Sequence, residues 1–198
     1  MSPAHVLEPT YERIKRGLLN GAWAPDTKLE AQRLAEDFGV SMTPVRDCLN
    51  RLVGERLVEL KPGEGYRVSR LTEKYLRDML GLNQLLLVNA VSSGRPDSMQ
   101  PPRRNRRAAF ADLVGTTFVD LVQWSENSAL IESVKDLNDR LHAIYRLDCE
   151  IISDGAEEID SIIGMAREGG ARLAAAICDF HRKRRSEAPR FIALLNAG

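Results

Sequence analysis

"GVSMTPVRDCLNRL", residues 39–52, decides the fold. Gly39 permits the backbone of a sharp turn, and Ser41 is placed to accept a hydrogen bond from the exposed amides that follow. Pro44 falls in the first helical turn, where a missing N–H costs little. From there Val45, Cys48, Leu49 and Leu52 recur at i, i+3, i+4 and i+7, which predicts a helix with one inward face. The other face presents Met42, Thr43, Arg46, Asp47, Asn50 and Arg51, a mixture of cation, amide and hydroxyl suited to base edges and phosphates in a major groove. A solvated amphipathic helix would look the same in isolation, so the flanking sequence has to decide.

Working outward, Tyr11, Ile14, Leu18 and Leu19 predict a first helix, which "NGAWAPDTKL" ends as a loop. A short second helix is expected over Glu30–Phe38, with Leu34, Ala35 and Phe38 inward. Ala35, Gly39, Val45 and Cys48 then sit at intervals that let two helices cross closely, the helix-turn-helix arrangement. After it, "LVEL", "KPGEG" and "YRV" read as two strands around a Pro and Gly turn, a β-hairpin wing.

Composition places no global charge behind this reading. Lys plus Arg and Asp plus Glu number 28 each in 198 residues. Residues 1–71 hold 11 basic and 10 acidic side chains by direct count, so DNA affinity must come from local placement. A hydrophobic content of 43% suits a chain that buries a real core. Cys48, Cys149 and Cys178 are odd in number and lack metal-ligand spacing, as expected of reduced thiols in a cytoplasm. The N-terminus shows no secretory leader, and the apolar run "LLLVNAV" at 85–91 is far too short to cross a bilayer, so no membrane partner is expected.

Beyond Arg70 the pattern is helical. Thr72 is placed to cap a helix running to about Val91, followed by an exposed loop, "SSGRPDSMQPPRRNRR". Its "RRNRR", 103–107, is either a nucleic-acid contact or a solvated helix start. Further helices are expected in "AAFADLVGTTFVDLVQW", over Ser128–Ile152 with Leu130, Val134, Leu137, Leu141 and Ile144 inward, in "AEEIDSIIGMAR" and in "ARLAAAICDFHRKRR". The fold class is therefore mainly α: an N-terminal winged helix-turn-helix with a small β-hairpin wing over 1–71, then a C-terminal all-α helical bundle over 72–198. About five bundle helices and a C-terminal turn are expected, with the bundle or its Ser128–Ile152 helix as a dimer surface.

The ordered set "GLLNGAWAPDTKLEAQRLAEDFGVSMTPVRDCLNRLVGERLVELKPGEGYRV" resembles the winged helix of the GntR family of bacterial transcription regulators across residues 11–69. The resemblance implies a DNA-binding set of Arg33, Met42, Thr43, Arg46, Asn50, Arg51, Lys61 and Gly65. Arg46 matches an operator-contacting arginine and is assigned to base readout. Thr43 and Arg51 are assigned to phosphates, and Lys61 and Gly65 to the wing's contact with the backbone or minor groove. Met42 stands where the family usually has another arginine, and an apolar side chain there could at best touch a thymine methyl. "LVQWSENSALIESVKDLNDRLHAIYRL" and "IIGMAREGGARLAAAICDFH" resemble the FCD-type effector domain of the FadR-like branch, in its shorter, VanR-like form.

That likeness implies an aspartate and three histidines holding a divalent metal beside a small carboxylate effector. The ligand positions here are occupied by Val114 and Phe118 (or Gly115 and Val119), by Ile159 or Asp160, and by His181, so no metal and no other cofactor is expected. Asn83 stands where a first-helix arginine is usual. Asn83, Phe118, Asp160 and His181 are the expected effector-pocket residues, for a ligand less acidic and more apolar than the family's.

The function expected is a transcriptional regulator, read as a ligand-responsive repressor, binding an inverted-repeat operator in double-stranded DNA as a homodimer, with a small-molecule effector not identified from sequence. A protein-docking winged helix is the alternative. An enzyme would have to rely on His142 with Asp139 or on Cys178 with His181, and neither pair is followed by the elbow that exposes a nucleophile, so no catalytic residues are expected.

Overall fold

The computed structural model describes residues 4–92, 94–105 and 107–197, with side chains from Leu7 onward. The chain divides into two compact units, one ending at Leu71 and the other running Thr72–Ala197.

The first unit is built from α1 (Ala4–Leu19), β1 (Lys28–Leu29), α2 (Ala31–Phe38), α3 (Met42–Gly54), β2 (Val58–Lys61) and β3 (Gly65–Val68). Tyr11, Ile14, Leu18, Leu34, Ala35, Val45, Cys48, Leu49 and Leu52 form its core. Each fully buried aliphatic side chain there contributes roughly 2 kcal/mol. Gly39 adopts φ 68° at the end of α2, a left-handed turn that would strain any side chain bearing a Cβ. Ser41 does occupy the position before α3, with extended backbone, but its side chain makes no capping bond. The hydrophobic stripe on α3 is as the periodicity requires, and it fixes which face of that helix is left outside.

The wing is a three-stranded antiparallel sheet in the order β1-β3-β2, with Leu29 opposite Tyr66 and Lys61 opposite Gly65. Lys28–Leu29, expected within the loop after α1, instead form an edge strand of this sheet. Two residues carry no alternation to detect; Leu29 becomes a strand residue because it is buried in the core while pairing with the hairpin.

The second unit contains no strand among its described residues. It comprises α4 (Glu73–Val91), α5 (Phe110–Val122), a one-turn 3-10 helix at Gln123–Ser125, α6 (Ser128–Arg146), α7 (Asp148–Ile151), α8 (Gly155–Met165), α9 (Ala171–Ser186) and α10 (Ala188–Ala197). Thr72 caps α4 by accepting a hydrogen bond from the Tyr75 amide at 3.2 Å, as anticipated. Two expectations are corrected: the helix from Ser128 ends at Arg146 rather than Ile152, and the C-terminal turn is a full helix that buries Phe191. Asp148, just past the end of α6, is fully buried and chelated by the fully buried Arg184 of α9, at 2.8 and 2.7 Å. Arg184 also donates to Glu158 at 2.7 Å and lies over the Phe180 ring, so this one arginine clips α7 and α8 to α9.

Candidate nucleic-acid interface

With Val45, Cys48, Leu49 and Leu52 buried, α3 leaves Met42, Thr43, Arg46, Asp47, Asn50 and Arg51 exposed. Met42 is 42% exposed, a large apolar side chain held in solvent at the head of the helix. Arg46, and Arg33 on α2, make no hydrogen bond or ion pair among the described residues. Both guanidiniums are free to meet an acceptor without first breaking a bond, and such a side chain can address a guanine edge in two-pronged fashion.

Arg51 and Lys61 are differently placed. Arg51 stacks on the Tyr11 ring at 3.6 Å from its centroid and pairs with Glu8 at 3.1 Å and Glu55 at 3.4 Å. Lys61 pairs with Asp26 at 2.8 Å, and that bond, ahead of the nearby Arg70 and Arg67, holds the Asp26 carboxyl below its usual range. A phosphate contact by either side chain would compete with these carboxylates. Asn50 accepts a hydrogen bond at 2.8 Å from the Tyr66 hydroxyl on β3. Its amide oxygen is thereby engaged and its NH2 turned outward as a donor. Tyr66 was not in the sequence-derived set. The partnership spans 16 residues, and only the fold brings wing and helix together. Gly65 opens β3 with φ 89° and nothing within 4 Å of a would-be Cβ, so the wing offers bare backbone there.

Cys48 lies beneath this face, and burial pushes its thiol up to about 11, which leaves it a neutral packing residue.

In the second unit the four expected effector residues do not form one site. Asn83, Phe118 and His181 are fully buried, whereas Asp160 is exposed and pairs with Arg104 at 2.6 Å. The inward residue of that turn is Ile159. Phe118 stacks on His181, centroids 5.4 Å apart, and meets Tyr145 and Phe180 edge-on. His181 Nδ1 lies 2.8 Å from the Ile177 carbonyl and is therefore its donor, and burial pushes the ring's pKa down to about 4. Among the described residues no three His, Cys, Asp or Glu side chains group as a metal site. Asn83 donates to Asn138 at 3.2 Å, while Asn83 Oδ1, Thr117 Oγ1, Tyr145 Oη and His181 Nε2 are buried with no partner. The residues considered for catalysis are otherwise engaged: His142 meets Asp112 at 3.1 Å and Cys178 accepts from Gln84 at 3.4 Å.

A short helix, a glycine turn, a helix whose outer face carries unpaired guanidinium and a hairpin packed behind it define a winged helix-turn-helix DNA-binding domain. Residues 8–68 match the bacterial regulatory proteins of the gntR family, a match that lies within the first unit.

Among curated relatives, the chain is 31% identical over 88 residues to the HTH-type transcriptional repressor GlaR of Escherichia coli, covering 42% of this chain and 40% of that protein. It is 37% identical over 70 residues to the HTH-type transcriptional repressor NagR of Bacillus subtilis, covering 35% of this chain and 29% of that one. The matches thus span well under half the length of these relatives. Over nearly the whole chain the fold is similar to a GntR protein from Rhodococcus sp. RHA1, with TM-score 0.65, 11% identity and 97% and 98% coverage. It is also similar to McbR/YncC of Escherichia coli, with TM-score 0.59, 18% identity and 97% coverage of each. No helix among the described residues is long and apolar enough to cross a membrane.

Proposed function

We propose that the chain is a cytoplasmic transcriptional repressor. Residues 1–71 read an operator in double-stranded DNA, and residues 72–198 form an FCD-type domain that pairs two copies and answers to a small molecule. The observation that carries the reading is the outer face of α3, where Arg46 is exposed and unpaired beside an exposed Met42. Arg46, assisted by Arg33, reads base edges, Asn50 donates from its free amide, and Thr43 and Gly65 meet the backbone. Lys61 and Arg51 set the frame through their carboxylate partners. The repressor assignment draws on the names of GlaR and NagR.

One winged helix makes too few groove contacts for genomic selectivity, so a dimer on an inverted repeat is required. Its surface is the outer side of α4, where Tyr75, Leu82 and Leu85 stand exposed, Leu85 at 66%. Their spacing of seven and three residues makes a stripe able to pack against its own symmetry mate.

Selection of binding sites from a random duplex library by the purified chain tests the proposal. Enrichment of an inverted repeat is the expected result, and failure to enrich any sequence over several rounds would refute it.

A further inference from the structure

Outside both the DNA-reading face and the bundle centre, the second unit carries a groove of about 1020 Å³ between the 95–104 loop and α8. Four arginines line it, Arg95, Arg103, Arg104 and Arg167, against a single carboxylate, Asp160. We propose that this groove binds a phosphorylated small molecule with a flat, nucleotide-sized body.

The loop is fixed in place rather than laid loosely over the helix. Gly169 follows α8 at φ 73°, and a Cβ on it would stand 2.8 Å from the Arg95 amide nitrogen. Only glycine allows the loop backbone to approach so closely. Gly170 N–H donates to the Val91 carbonyl at 3.2 Å from the same turn. Arg95 then ties the loop to the end of α8, donating through Nε to the Arg167 carbonyl at 3.2 Å and through Nη1 to the Met99 carbonyl. Both partners are uncharged, so its positive charge is not offset.

Asp160 neutralises Arg104 at 2.6 Å. The side chains of Arg103 and Arg167 make no ion pair among the described residues. Three guanidinium charges are thus left facing one concave surface. Like charges repel when crowded, and an anion with several oxygens relieves that while matching the guanidinium fork.

The rest of the lining describes the ligand's other end. Pro101, Pro102 and Ile163 supply apolar surface, and Gly164 leaves open space where any other residue would project, with nothing within 4 Å of a Cβ there. A flat ring can lie on that floor. The volume exceeds what an isolated phosphate or a short dicarboxylate fills and sits at the upper end for small-molecule pockets. Where the sequence pointed to a buried, apolar effector pocket around Phe118 and His181, those rings are packed against each other; this accessible groove is cationic. The inference concerns binding to the second unit and stands independently of whether the first unit reads DNA.

Isothermal titration of the full chain tests it, with adenosine 5′-monophosphate, adenosine and inorganic phosphate as probes. The monophosphate should bind saturably and weaken with added salt, phosphate should bind more weakly and adenosine should give no heat. Arg103→Gln/Arg167→Gln should weaken the monophosphate by about tenfold or more. Gly164→Leu fills the floor and leaves every charge in place, so it should abolish monophosphate binding and spare inorganic phosphate; as a helical Gly replaced by a helix former it should not impair folding. Equal binding of adenosine and its monophosphate, absence of saturable binding, or an isotherm unchanged in both variants would overturn the proposal. So would a double variant that keeps the monophosphate but loses affinity for random duplex DNA, which would assign these arginines to the DNA backbone.

Discussion

Replacing His181 by leucine should remove a specific part of the protein's sensitivity to acid. His181 is fully buried, donates through Nδ1 to the Ile177 carbonyl, leaves Nε2 without a partner and lies against Phe118. Burial, the leading cause, together with Arg184 and Arg185 pushes its pKa from the ordinary 6.5 to about 4, against the opposing pull of the Ile177 carbonyl. Above pH 6.5 the ring is neutral in folded and unfolded chains alike and pH has no effect through it. As pH falls through 6.5 the unfolded chain takes up a proton that the folded one refuses until about 4, so stability is lost across that window. At about 1.4 kcal/mol per pH unit the full effect is about 3 kcal/mol, of which about 2 kcal/mol falls between pH 7 and pH 5. Urea unfolding followed by the fluorescence of the buried Trp124, in a Trp23→Phe background, measures it. The His181→Leu chain should lose about 2 kcal/mol less than its parent between those two pH values, whatever its stability at pH 7. Equal losses in the two proteins would refute the reasoning.

Three further outcomes are expected. Arg184→Met strands the buried Asp148 and should cost about 3–5 kcal/mol of second-unit stability, most of it restored in Arg184→Met/Asp148→Leu; thermal unfolding of the two variants checks this. Tyr66→Phe frees the Asn50 oxygen to accept as well as donate, so binding-site selection should show changed preference at one base pair per half-site, with total affinity altered by about 1 kcal/mol or less. Leu82→Glu/Leu85→Glu should convert the proposed dimer to a particle of 22.1 kDa in light scattering, since two like charges from each copy would meet across the symmetric seam.

What was legible in the sequence was whatever local periodicity records. The α3 stripe, the Gly39 turn, the Thr72 cap and the hairpin each follow from residues within one or two turns of each other. What was not legible depends on partners far along the chain. Nothing near Lys28 and Leu29 marks a strand, because its hydrogen-bonding partner lies at Tyr66 and Arg67. The apolar pattern runs past Arg146 without a Gly or Pro, and the next residue but one, Asp148, is committed to an arginine 36 positions away. In "HRKRR" nothing distinguishes the buried Arg184 from the exposed Arg182 and Arg185 or the half-buried Lys183. The same holds for the candidate site. The eight residues proposed to meet DNA come from the helical pattern and the family resemblance, but whether a cation is free like Arg46 or held like Arg51 depends on Glu8 and Tyr11 in another helix.

The central claim is that the outer face of α3 reads sequence through Arg46. Fluorescence anisotropy of the full chain and Arg46→Ala, each titrated against the selected site and a scrambled duplex across a range of salt concentrations, tests it most directly. Arg46→Ala should lose about 1–3 kcal/mol on the selected site and less on the scrambled duplex, with a flattened ratio between them. An equal loss on both, with discrimination intact, would contradict it.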